Sequence, residues 1–165
     1  MGTGGALDEM KKIKAKIGDL TSIYCEQLQL YEKIKEKGSQ ERALIKEGRL
    51  DQLLKGLQER QSQIAATAGM ETKAAELQGS LLAHFQIEEF SLLQLKQAAP
   101  ADYKEDLESL EAVISKLVPL LEELEAQEKE NEALLKEYLN RMQALKKDRS
   151  RFRRAAQAYG SKDSE

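Results

Sequence analysis

The chain has 165 residues, a formal net charge of −3, 33% charged residues and only 5% aromatic residues, with no Trp. That length suits one domain, and little aromatic bulk beside abundant Ala, Glu, Lys, Leu and Arg points to long helices rather than a mixed globule. The small net charge gives no ground to expect nucleic acid or an anionic membrane as a general partner.

The first helix is expected over about 7–47. Met10, Ile17, Tyr24, Tyr31 and Ile45 share one seven-residue phase, and Ile13, Leu20 and Ile34 share the phase three residues later. Such a narrow stripe is of the coiled-coil type. Gly38 interrupts it without ending it, since Gly costs about 1 kcal/mol in a helix interior. Gly48 reads as the stop, because a helix end often needs the left-handed conformation that Gly adopts freely.

A second helix is expected over about 50–84, with a stripe made of Leu50, Leu53, Leu54, Leu57, Gln61, Ile64, Ala65 and Ala68. The stripe weakens between Gly69 and Gly79 and returns at Leu81, Leu82 and Phe85. Phe90, Leu92, Leu93 and Leu95 predict a short helix over about 88–97 that folds back over one end of the bundle. Pro100 then suits the start of the last helix, and Asp102, Glu105 and Asp106 suit the positive end of its dipole.

That last helix is expected over about 101–158. One row holds Leu107, Ile114, Leu121, Glu128, Leu135, Met142, Arg149 and Ala156, and the other holds Leu110, Leu117, Leu124, Asn131, Tyr138, Leu145, Phe152 and Tyr159. The pattern resumes in phase after Pro119, which predicts a kink without a break. At 1.5 Å per residue this helix reaches roughly 85 Å, longer than its partners, so part of it should overhang. The expected fold is all-α: one domain over 1–165, an elongated antiparallel bundle of three long helices plus one short helix, with a flexible tail at 160–165.

No catalytic set is legible. Nucleophile chemistry needs a Ser or Cys beside a base, and the chain has one Cys (Cys25) and one His (His84) in unrelated helical settings. The paired acids, such as Glu88/Glu89 and Glu122/Glu123, read as solvated helix faces rather than as acid–base pairs in a dry cleft. A single His excludes a His-pair metal site, a single Cys excludes an internal disulfide and points to a reducing compartment, and no phosphate-binding glycine loop is present. The start, Met1-Gly2-Thr3-Gly4-Gly5-Ala6, lacks the basic and apolar parts of a signal peptide, and no apolar run approaches the roughly 20 residues of a membrane helix. The expectation is a cytoplasmic, non-enzymatic protein with no cofactor, no nucleic-acid partner and no stable membrane insertion, as a monomer or weak dimer.

Two features of the last helix remain. Glu128 and Asn131 interrupt its stripe, either to fix register or to mark where the helix changes partner. Lys146, Lys147, Arg149, Arg151, Arg153 and Arg154 form a basic run with Phe152 interleaved. It reads first as cations at a helix C-terminus, next as contact with an acidic protein surface, and last as a nucleic-acid contact.

The stretch Ile45-Lys46-Glu47-Gly48-Arg49-Leu50-Asp51-Gln52-Leu53-Leu54 leads on to Glu59-Arg60-Gln61. Phe90-Ser91-Leu92-Leu93-Gln94-Leu95 follows before Pro100, then Asn131-Glu132-Ala133-Leu134-Leu135 and a closing Tyr159-Gly160. In order and spacing these resemble the FlgN-type flagellar export chaperones. Arg49 departs from the pattern, standing where an Asp cap would follow the turn glycine. The resemblance implies a cytoplasmic chaperone that binds hook–filament junction proteins and delivers them to the export gate of a type III secretion apparatus. It implies a substrate face at Asn131, Leu134, Leu135, Tyr138, Met142, Leu145 and Phe152, and a gate contact at Tyr159 and Gly160. The alternative is a non-catalytic coiled-coil scaffold or stalk.

Overall fold

The computed structural model describes residues 2–163, with side chains described over 4–159. Four α-helices account for nearly all of it: α1 (Gly2–Glu47), α2 (Leu50–Phe85), α3 (Leu92–Ala98) and α4 (Lys104–Asp163), with a 3-10 turn at Ala101–Tyr103 leading into α4. The expected all-α bundle of three long helices and one short one is what the chain forms.

The register is read from cross-helix contacts. Lys35 pairs with Glu123 and Arg42 with Glu130, so α1 and α4 run parallel. Tyr24 meets Gln78, and Arg60 meets Glu41, so α2 runs antiparallel to α1 and α4. An up–down–up path makes its first and third long helices parallel, which refines the antiparallel description. α1 is the central helix and packs along both α4 and α2, while α2 and α4 approach each other less closely.

The core occupies the lower part of the bundle. Ile17, Leu20, Leu81, Leu95 and Leu110 are fully buried there, with Ile13, Tyr103 and Leu107 around them. Phe85 meets Tyr103 edge-on at 5.3 Å, and α3 closes this end through Leu95. Of the two predicted rows of α1, Ile13, Ile17, Leu20, Tyr24, Ile34 and Ile45 are buried, while Met10 and Tyr31 are half-buried. In α4 the row Tyr103, Leu110, Leu117, Leu124 and Asn131 stays buried throughout. The other row drifts: Leu121 and Glu128 turn outward, whereas Leu120 is buried and Gln127 half-buried. An α-helix of 3.6 residues per turn slips about 20° per heptad against a strict seven-residue repeat, which accounts for the drift.

Several boundaries differ from the sequence expectation. The short helix starts at Leu92 rather than near 88, because Ser91 is extended and its Oγ accepts from the Gln94 N–H. α4 continues beyond 158 to Asp163, so 160–163 are helical where a flexible tail was expected; 164–165 lie outside the described residues. α1 takes in the glycines at 2, 4 and 5, ahead of the expected start near 7; nothing in the structure explains this. α4 is one helix through Pro119, whose exposed position turns its lost backbone hydrogen bond toward solvent.

The face of α2 is also corrected. Its buried row is Leu53, Arg60, Thr67, Ala74 and Leu81, at strict seven-residue spacing. Leu54, Ile64, Ala65 and Ala68 of the predicted stripe are exposed. α2 carries more apolar residues than one neighbouring helix covers, and periodicity alone does not say which row faces α1.

Candidate partner-binding site

The upper bundle is built differently from the lower. α1 ends in a Schellman turn: the Gly48 N–H donates to the Ile45 carbonyl (3.2 Å) and the Arg49 N–H to the Leu44 carbonyl (2.9 Å). Gly48 has φ +71°, and a Cβ there would sit 2.8 Å from the Tyr138 hydroxyl. Only glycine satisfies both the left-handed backbone and the packing of Tyr138 over the turn. Arg49 supplies no side-chain cap to α2, as its departure from the expected Asp implied.

Below this turn lies a polar layer. Asn131 is buried, and its Nδ2 donates to the Gly38 carbonyl at 2.9 Å. Gln127 donates to the Lys35 carbonyl at 3.0 Å, and a Cβ on Gly38 would overlap its amide. Gly38 is therefore the point where α4 side chains reach the α1 backbone. Beside it, Arg60 from α2 lies 3.4 Å from both Glu41 and Glu128. Burial pushes the Glu41 carboxyl above its ordinary range, and the Arg60 guanidinium and the Asn131 amide pull it back only in part. Glu41 Oε1, Arg60 Nε and Asn131 Oδ1 have no hydrogen-bond partner among the described residues. They belong to residues lining a cleft of about 210 Å³ that also takes in Ile45, Leu53, Leu57 and Leu135.

These contacts decide between the two readings of the polar interruption in α4. Glu128 and Asn131 make cross-helix contacts inside the bundle, so they fix register among the chain's own helices. Asn131 accordingly lies in the bundle rather than on a free face. The change of surroundings comes about one heptad later, at Tyr138.

Past Tyr138, α4 runs beyond the α1–α2 turn. Every residue from Leu139 to Tyr159 is exposed. The 25 residues from Leu139 to Asp163 span roughly 37 Å at 1.5 Å per residue. Leu134, Leu135 and Tyr138 are half-buried at its base. Leu145, Phe152 and Tyr159 continue the buried row of Leu110, Leu117, Leu124 and Asn131 in phase, with Met142 beside them on the row that drifts outward, yet Phe152 and Tyr159 are 75% and 74% exposed. Gly160 is helical, and its surroundings lie outside the described residues. Of the nine sequence-predicted contact residues, the structure thus aligns Met142, Leu145, Phe152 and Tyr159 on one uncovered stripe.

Comparison with protein-family models, with curated proteins and with solved structures finds no match to this chain.

Among the described residues, no group of three or more His, Cys, Asp or Glu side chains is placed to hold a metal ion, and no helix is long and apolar enough to cross a membrane. The sequence reading singled out Glu128 and Asn131 but not Glu41 and Arg60, which complete the polar layer beside Gly38. It also missed a cleft between α2 and α4, with Tyr24 and Tyr31 in its lining and Ala75, Val118 and Leu121 along it.

Proposed function

We propose that this chain is a non-catalytic export chaperone of the FlgN type, which binds hook–filament junction proteins in the cytoplasm and delivers them to the flagellar export gate. The observation that carries the reading is the uncovered apolar stripe of α4, from Met142 to Tyr159, projecting from a bundle whose own core is complete without it. An apolar stripe at heptad spacing on a free helix has one general use, the capture of another helix. Met and aromatic side chains suit it, since Met adapts to irregular partners and aromatics bury large areas. The substrate face is then Leu134, Leu135, Tyr138, Met142, Leu145 and Phe152, with Tyr159 and Gly160 toward the gate. The chemistry is capture and release, with no enzyme activity.

The test is co-purification of junction proteins with the full chain. Leu145→Asp and Phe152→Asp are expected to abolish it while the far-UV helix signal persists. Unchanged co-purification would remove the site assignment. Tyr159→Ala is expected to keep substrate binding and reduce export; loss of substrate binding would move Tyr159 to the first face.

A further inference from the structure

The polarity of α4 reverses where it leaves the bundle. Within the bundle, α4 supplies the acid of every ion pair it makes to another element: Glu111 with Lys96, Glu123 with Lys35, Glu128 with Arg60 and Glu130 with Arg42. Its neighbours supply the bases. From Leu139 to Asp163 the same helix carries eight Lys and Arg against two acids, Asp148 and Asp163. The positions matter more than the total. In the heptad that holds Met142 and Leu145, Arg141 (which also pairs with Glu137 on its own helix) and Lys146 flank the apolar stripe; one heptad on, Asp148 and Arg153 flank it and Arg149 stands within it. Flanking charges set partner choice in helix pairs, and a cation within the stripe needs an acid facing it.

From this reversal we infer that the overhang takes an acidic amphipathic helix: a segment with apolar residues at heptad spacing and Glu or Asp facing Arg141, Lys146, Arg149 and Arg153. The inference rests on the proposed partner-binding role of this face and names the chemistry of what it binds. The bundle itself supplies the template, with the signs exchanged. Two overhangs paired in parallel would set Arg141 against Lys146 and Arg149 against Arg149, like-charge contacts that outnumber the favourable Asp148–Arg153 pairing. Nucleic acid would satisfy the cations but has no use for Met142, Leu145 and Phe152.

The test titrates the full chain with a synthetic peptide of about four heptads, Leu at the two core positions and Glu at the flanks, which keep it monomeric at neutral pH. A Lys-flanked peptide of the same core, polyglutamate and a DNA duplex are the controls. The Glu-flanked peptide is expected to bind at least roughly tenfold more tightly than any control, and to weaken with salt. Leu145→Asp is expected to abolish that binding. The triple variant Lys146→Glu, Arg149→Glu, Arg153→Glu is expected to exchange preference to the Lys-flanked peptide, with circular dichroism reporting that the helix is kept. Equal binding of the two peptides, or equal binding of polyglutamate or DNA, would overturn the inference. So would a stable dimer of the chain alone that Leu145→Asp dissociates. If the Glu-flanked peptide binds and junction proteins do not co-purify, the proposed function fails and the inference stands. If junction proteins co-purify through Leu145 and the peptide does not bind, the reverse holds.

Discussion

The two parts of α4 have the same periodicity and different surroundings. From Leu107 to Leu124 its buried row, Leu110, Leu117 and Leu124, is sealed within the bundle, with Leu110 fully buried. From Met142 to Tyr159 the stripe keeps its phase and lies open. Between them sits a polar layer: Asn131 on the Gly38 carbonyl, and Arg60 between Glu41 and Glu128. The comparison teaches that heptad spacing says a helix has a partner and leaves open whose chain the partner belongs to. That is settled here by where α1 and α2 turn, at Gly48 beside Tyr138.

Substitutions in the core, the overhang, the polar layer and the α1–α2 turn test this difference. Leu110→Ala should cost about 4 kcal/mol in urea unfolding, since a fully buried leucine leaves a cavity, whereas Leu145→Ala should cost under about 0.5 kcal/mol. Equal costs would mean the overhang is packed in solution. Arg60→Ala should cost about 3 kcal/mol, because it leaves the Glu41 carboxylate buried without its cation; the value sits at the low end for a buried pair because Glu41 can take up a proton instead. Gly48→Ala should cost about 1–2 kcal/mol, through the left-handed backbone and the crowded Tyr138 ring. A silent substitution there would detach the turn from Tyr138.

The smallest effect is a pH dependence. The folded-state pKa of Glu41 lies above its ordinary value of 4.5, so the folded chain binds the extra proton. The stability this contributes is full below the unfolded value of 4.5 and is lost as pH rises above it through the folded one. Comparing unfolding midpoints of the native chain and Glu41→Gln across that window isolates it, and parallel curves would remove Glu41 as its source.

Much of the architecture was legible because long helices advertise themselves. The rows of α1 matched the buried residues closely, since a helix packed on two sides must be apolar at both heptad positions. α2 was misread, because Leu54 and Ile64 carry the apolar signal while Arg60 and Thr67 occupy the buried row. Arg60 is buried only because Glu41 and Glu128 come from two other helices, a coincidence no local pattern encodes. The overhang was visible from relative helix lengths, but its lower edge was not. Asn131 looked like the boundary, whereas the tertiary position of Gly48 moves it to Tyr138.

The most direct test of the central claim is amide hydrogen exchange on the full chain, alone and with a hook–filament junction protein. The account predicts new protection from Leu134 to Tyr159 and no change from Ile13 to Leu124. Protection confined to α1, to α2 or to the lower part of α4, with the overhang still exchanging freely, would contradict it.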